Sequence, residues 1–499
     1  MTRHRLPVVV AALLLAATTA AAQRPPNIVL IVADDLGYGD IAPYGQQLIH
    51  TPNLERMARE GTRFTQFYAG SAVCAPSRAV LMTGVQTGRN PIRGNKEYPG
   101  GQQPLPAGTV TLARLLQQRG YATGAYGKWA LGGPGTEGTP TRQGFDAFFG
   151  YLDQSRAHFY WPEWLDRNDG EHVPLPGNRV RRPDVPANAR IPDGAGWPVT
   201  KGTYSHDAIA DSALAFITDH RARPFFLYVP FTLPHAELTA PDSTLRPYLD
   251  ANGKSIFPET PFPGARYGPQ PMPRATYAAM VSIVDRDVGR ILERLRALGL
   301  ADNTIVLFTS DNGPHREGGH DPDFFDGNGP LRGIKRDLYE GGVRVPMIAW
   351  APGRVPAGRT SDHVWGMWDL LPTLGALAGA PAPRDVDGLS MVSALTGRGT
   401  PPTHEWLYWE FYEQGSSQAV RMGRWKAVRK PMLTGPMELY DLDTDLGERH
   451  DVAAAHPDVV ARVERVMREA HHPSDLWKPT GAPPPVRGPA GSPAASAGR

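Results

Sequence analysis

Cysteine is almost missing from this chain: 499 residues contain one, Cys74. One thiol closes no intramolecular disulfide, so a disulfide-stapled scaffold is excluded. An excess of one charge is missing too. Lys and Arg number 52, Asp and Glu 50, the formal net charge is +2, and no long run carries one sign. That balance excludes a general affinity for nucleic acid or anionic surfaces, so basic residues must act locally. Beyond the N-terminus, no apolar segment is long enough to cross a bilayer.

The start of the chain is the exception. Arg3 and Arg5 precede an apolar stretch from Leu6 to Ala22, and Ala20-Ala21-Ala22 offers a small-residue cleavage site before Gln23. The stretch is short for an anchor and has no stop-transfer flank. Residues 1–22 therefore read as a signal peptide. The mature chain is expected to be exported, to the periplasm or the extracellular space, and free of the membrane after cleavage. With no twin-arginine pair, the general secretory route is expected. An oxidising compartment leaves three readings of Cys74: an inert buried thiol, a site for an intermolecular bridge, or a chemical group.

Asn27 to Ala33 is a continuous apolar, β-branched run, as in a strand buried on both faces of a parallel sheet. Thr304 to Ser310 and Phe225 to Val229 repeat it. Helical patterns lie between, at Leu54–Glu60, Leu112–Arg119 and Tyr277–Leu298. Alternation of this kind predicts an α/β sandwich around a large, mostly parallel sheet spanning residues 23–398. Such sheets bind ligands at the carboxyl ends of their strands, where Asp34, Asp35, Asp311, Asn312 and His235 fall. Two long irregular segments, about 151–202 and 238–274, read as lids or binding loops. The first carries His158-Phe-Tyr-Trp-Pro-Glu-Trp164, whose aromatics either face a sugar or aryl ring or pack the loop down. Residues 399–472 read as a small α+β domain with a short antiparallel sheet: strands at Trp406–Phe411 and Ala419–Val428, followed by the segment Glu438–Asp443, and a helix over Val459–Ala470. From Pro473 to the end, Pro, Gly, Ala and Ser predict a disordered tail.

Asp34-Asp35 and Asp311-Asn312 each end a buried strand. Carboxylates so placed need a positive partner, and oxygen donors suit a hard cation, Ca²⁺ or Mg²⁺, over zinc. Cys74-Ala-Pro-Ser-Arg78 continues to Thr83-Gly84. Pro76 suits a first helical turn, so Cys74 falls at a helix N-terminus, where an anion is favoured, and Arg78 can reach back over it.

That pattern, Cys-x-Pro-Ser-Arg-x-x-x-x-Thr-Gly, resembles the signature of the type I, formylglycine-dependent sulfatases, arylsulfatases among them. The likeness spans nearly the whole mature chain. Asn27 to Asp40 resembles the family's opening strand and metal loop, and Gly127-Lys128-Trp129 its second signature. Gly144-Phe-Asp-x-Phe-Phe-Gly150, Pro234-His235, Ser310-Asp-Asn-Gly313, Lys335 ahead of Glu340-Gly-Gly-Val-Arg-Val-Pro346, and Glu438-Leu-Tyr-Asp-Leu442 follow as in sulfatases. The resemblance implies an alkaline-phosphatase-like sandwich and sulfate-ester hydrolysis of an aryl or carbohydrate sulfate. It implies Ca²⁺, or Mg²⁺, held by Asp34, Asp35, residue 74, Asp311 and Asn312. It implies that a formylglycine-generating enzyme oxidises Cys74 to Cα-formylglycine, whose hydrate attacks sulfur through one hydroxyl and expels sulfate through the other. Arg78, Lys128 and Lys335 would neutralise charge, and His235 would protonate the leaving alcohol.

One departure stands out. Where the family pattern continues Lys-Trp-His-Leu-Gly, this chain reads Lys128-Trp-Ala130-Leu-Gly132. The histidine lost at Ala130 is the one assigned to deprotonating the second hydroxyl. His158 is the expected substitute, with His206, His315 and His320 as alternatives. Two rival functions are a phosphate or phosphonate monoester hydrolase on the same scaffold, and a sulfatase-like binding protein without turnover. Cys-x-Pro-Ser-Arg and a single calcium-type site favour sulfate.

Overall fold

In a computed structural model, residues 24–95, 97–98, 101–185, 190–381 and 383–479 are described. The signal-peptide reading and most of the tail lie outside them. The predicted sandwich is present. An eleven-stranded sheet runs, edge to edge, Arg359–Ser361, Thr62–Tyr68, Arg344–Trp350, Thr304–Ser310, Asn27–Ala33, Phe225–Pro230, Ala122–Lys128, Ala147–Tyr151, Trp164–Arg167, Glu171–Pro174, with Trp365–Gly366 also paired to Thr62–Tyr68. The strands from Thr304–Ser310 to Ala147–Tyr151 are parallel, and antiparallel neighbours flank them on both sides.

The apolar run Asn27–Ala33 explains why both faces are covered. Ile28, Leu30 and Val32 point into one hydrophobic cluster, and Val29, Ile31 and Ala33 into another on the opposite face. Strand side chains alternate, so a run apolar at every position needs helices on both sides. The helix Cys74–Thr83 packs in the first layer, and Ser205–Asp219 with Pro273–Ala297 in the second.

The C-terminal segment forms a four-stranded antiparallel sheet, Leu407–Phe411, Ser417–Met422, Trp425–Arg429 and Met437–Asp441, with the helix Pro457–Ala470. The single strand read over Ala419–Val428 is two strands, because Gly423 turns the chain at φ +59°. Trp409, Phe411 and Ala419 join the first main cluster, while Tyr408, Val420 and Leu439 pack on the helix. The small sheet thus shares a core with the large one. Beyond that helix, Trp477 is buried and its indole donates to the Pro91 carbonyl at 2.9 Å, so packed structure reaches past residue 473. Among the described residues, no helix is long and apolar enough to cross a membrane.

Candidate active site

Strand register builds the site. Ala33 lies opposite Ser310 in the parallel ladder, so Asp34-Asp35 and Asp311-Asn312 leave the sheet side by side. The Asp35 amide donates to Asp311 Oδ1 at 3.1 Å, and Asn312 Nδ2 to Asp35 Oδ1 at 2.6 Å. Three fully buried carboxylates repel one another unless cations intervene. Lys128, the last residue of its strand, donates to Asp34 Oδ2 at 2.6 Å. Gly127 before it has φ +140°, and a Cβ there would meet the Pro230 carbonyl at 2.0 Å, so only glycine lets that strand close up. Arg78 donates to Asp311 Oδ2 from Nε at 2.9 Å and Nη2 at 2.8 Å, and from Nη1 to the Lys128 carbonyl at 2.6 Å. Lys335 Nζ donates to Asp35 Oδ2 at 2.7 Å.

Cys74 opens the buried helix Cys74–Thr83, as its spacing to Pro76 predicts. Its Sγ lies 3.2 Å from Asp34 Oδ1 and 3.7 Å from Asp35 Oδ1. Burial first, and then Asp34, push the thiol well above its ordinary value. The favourable field of a helix start is overridden here by desolvation and a touching carboxylate. A thiolate nucleophile requires the opposite shift. Encoded cysteine is thus a poor nucleophile at this position.

Burial pushes Asp34 and Asp35 up, but Lys128 and Arg78 outweigh it at Asp34, and Lys335 with His315 at Asp35, leaving both below the usual carboxylate range. Asp311 goes the other way: burial, then Asp34, raise it to about 7. Beside these acids, Asn312 Oδ1 is buried with no partner. Oxygen donors that lack compensation fit a hard divalent cation. Proximity alone groups His235 with Asp34, Asp35 and Cys74, donor atoms within 4.8 Å of one another. Both His235 nitrogens are engaged, Nδ1 with the Ala236 carbonyl and Nε2 with Lys335 Nζ at 2.9 Å, and each has a single lone pair at most. The unpartnered Asn312 oxygen and the Asp311 carboxylate, whose oxygens keep further lone pairs, are therefore the better donors.

His235 also lies 3.2 Å from Asp35 Oδ2. His158 stacks on it, ring centroids 3.8 Å apart and planes at 18°. His315 lies 5.3 Å from His235 and has both nitrogens near partners, the Glu317 amide at 2.9 Å and the Pro234 carbonyl at 3.4 Å. His320 stacks on Tyr277 at 3.6 Å. His206 is paired with Asp287 at 2.9 Å in the helical layer and is not brought to the site. Ala130 is buried at φ +63°. The aromatic loop packs down: Phe159 and Tyr160 are fully buried, and the Tyr160 hydroxyl lies 2.6 Å from the Thr232 carbonyl and 2.8 Å from that of His235. Of the two readings of those aromatics, the structural one holds at these positions. Sequence reasoning missed Tyr267 and Glu317. Glu317 follows closely on the Asp311-Asn312 motif, which was a usable signal; nothing marked Tyr267 within its proline-rich loop.

Residues 26–380 match the family model described as Sulfatase, and residues 333–472 that described as N-sulphoglucosamine sulphohydrolase, C-terminal. Arylsulfatase A of Homo sapiens is 34% identical over 485 residues, covering 88% of this chain and 86% of that protein. The crystal structure of Ps i-CgsB in complex with k-i-k-neocarrahexaose is 30% identical, with a TM-score of 0.72 over 90% of this chain and 94% of that one. The phosphonate monoester hydrolase of Agrobacterium radiobacter, 22% identical with a TM-score of 0.61 over 90% of this chain and 96% of that one, shares the fold alone.

Proposed function

Because this chain belongs to the sulfatase family and is a sulfuric ester hydrolase, we propose that it cleaves a sulfate ester through Cα-formylglycine made from Cys74, with Ca²⁺ in the acidic cradle. The observation that carries this reading is the Cys74 thiol: held unreactive by burial and Asp34, yet ringed by Arg78, Lys128 and Lys335. A hydrated aldehyde at residue 74 supplies an oxygen nucleophile that the thiol is not. Asp34, Asp35, Asp311 and the free Asn312 oxygen would hold the cation, which supplies a positive centre that polarises a sulfate oxygen. Lys128 and Lys335 would offer two ammonium groups to the anionic ester, and Arg78 holds Asp311 through two hydrogen bonds. His235 is the proposed proton donor to the departing alcohol oxygen; its Nε2 lies 2.9 Å from the Lys335 ammonium, beside the place where the ester would bind.

A separate formylglycine-generating enzyme is the proposed partner in maturation, and export the proposed route. The proposed substrate is a sulfated sugar or aryl sulfate. The likeness to a carrageenan-bound structure supports the sugar. Mass spectrometry of the residue-74 peptide tests the reading: active protein should show the mass loss of aldehyde formation, and active protein with unmodified cysteine overturns it. The fold is shared with a phosphonate monoester hydrolase, so parallel assays of sulfate and phosphate release decide between those esters.

A further inference from the structure

One hydrogen-bonded chain can be read by counting protons. The Tyr267 hydroxyl lies 3.1 Å from Glu317 Oε2 and 3.1 Å from His158 Nδ1. It has one proton to give. Glu317 can only accept: burial pushes its carboxyl up, but Lys335, His235 and Arg336 outweigh that and hold it well below the usual range. Arg336 donates to it at 2.9 Å, and Lys335 Nζ lies 3.6 Å away. Tyr267 therefore donates to Glu317 and accepts from His158. The His158 proton must sit on Nδ1, which leaves Nε2 a bare lone pair.

That nitrogen is buried and has no partner. A buried polar atom left unpaired costs about 1–3 kcal/mol. His206 Nδ1 and both His320 nitrogens are unpaired too, so what sets His158 apart is its stack on His235 together with the Tyr267–Glu317 chain that fixes its other nitrogen. The ring is neutral, because burial, then His235, Lys128, Arg266 and Lys335 all disfavour the imidazolium. His158 lies against His235, whose donor nitrogen is within 4.8 Å of the Cys74 sulfur. No other histidine weighed for the role combines a fixed tautomer, a free nitrogen and contact with His235.

We propose that Glu317 and Tyr267 are positioning residues that lock His158 in its Nδ1–H tautomer, and that His158 Nε2 is the proton acceptor that position 130 lacks. Its place in catalysis rests on the sulfatase reading above; its tautomer does not. Long-range ¹H–¹⁵N spectra of full-length Cys74→Ala protein, with His158 assigned by its loss in His158→Gln, read the tautomer directly. His158 should show a protonated Nδ1 and a bare Nε2. Tyr267→Phe should mix the tautomers and, in mature enzyme, lower kcat about 10-fold or more with KM little changed, while the thermal midpoint reports that the fold is kept. Glu317→Gln should act in the same direction. A proton found on Nε2, or a Tyr267→Phe enzyme with unchanged tautomer and kcat, overturns the proposal. Wild-type protein that releases no sulfate despite aldehyde at residue 74 counts against the parent reading instead, since the tautomer is measured without turnover.

Discussion

Two of the buried-charge clusters among the described residues are built differently. At the junction of the two sheets, Glu340 is wholly buried and surrounded. Its Oε1 accepts from Lys426 at 2.8 Å, and its Oε2 from Tyr68 at 2.6 Å and Arg344 at 3.3 Å. Burial pushes Glu340 up, but Lys426, Arg421 and Arg344 hold it at about 2. Nearby Glu448 is raised by burial to about 8; its Oε2 takes the Glu340 amide at 2.8 Å, and its Oε1 is buried without a partner. At the strand ends, by contrast, three acids crowd one thiol, Asp311 rises to about 7, and Asn312 Oδ1 and His158 Nε2 have nothing to bond. Buried charge by itself marks neither function nor stability. The difference lies in the central group. The Glu340 carboxylate is paired at both oxygens and ties two sheets together as a seam. The strand-end acids surround a thiol and leave the Asn312 oxygen open, which marks a place for a ligand.

The sharpest test of that contrast is Cys74→Ala. Sulfate release should fall by at least about 10⁴-fold, as for loss of a nucleophile, with no drop in thermal midpoint. A large loss of stability would make the strand-end cluster a seam as well. Lys426→Met should do the reverse, costing about 3–5 kcal/mol in denaturant unfolding while turnover per folded molecule holds. Its pH signature has a definite sign. Glu340 is held at about 2 against an ordinary 4.5, so its contribution is present above 4.5 and lost as pH falls toward 2. That acid-side loss should shrink in Lys426→Met.

Smaller effects sharpen the comparison further. Ca²⁺ at a hundredfold excess over its Kd should stabilise the protein by about 2.7 kcal/mol, visible as a raised midpoint that chelation reverses. Asn312→Leu should weaken the shift, and Lys426→Met should leave it intact. Smallest is Ala130→Gly, which should stabilise by at most about 1 kcal/mol in denaturant unfolding, because a left-handed φ of +63° strains alanine and suits glycine. No gain would mean that this bend stores no strain.

Much of this was legible in the chain itself. Unbroken apolar runs announced the buried parallel strands, and acids directly after two of them announced the cradle. The spacing from Cys74 to Pro76 and Arg78 placed the thiol at a helix start. What stayed hidden depends on distance in sequence. That Ala33 meets Ser310 is a fact of register between segments 277 residues apart. Glu340 and Lys426 meet across 86 residues, and nothing local distinguishes them from surface charges. Tyr267 reaches the site from a proline-rich loop without periodicity. The aromatics after His158 carry the same residue types whether they form a platform or packing, and burial decides between those only after folding.

None of the Cys74 surface is open to solvent. If Cys74 is oxidised by a separate enzyme as proposed, that enzyme must reach the sulfur before the fold closes over it, so folding would set a deadline. The chain order supplies the time. Cys74 is synthesised early, whereas Lys335, which pairs with the neighbouring Asp35, follows roughly 260 residues later. At about 5–20 residues per second, that interval is on the order of tens of seconds. The yield of active enzyme would then be set by a race between oxidation and closure, decided before the molecule first becomes itself.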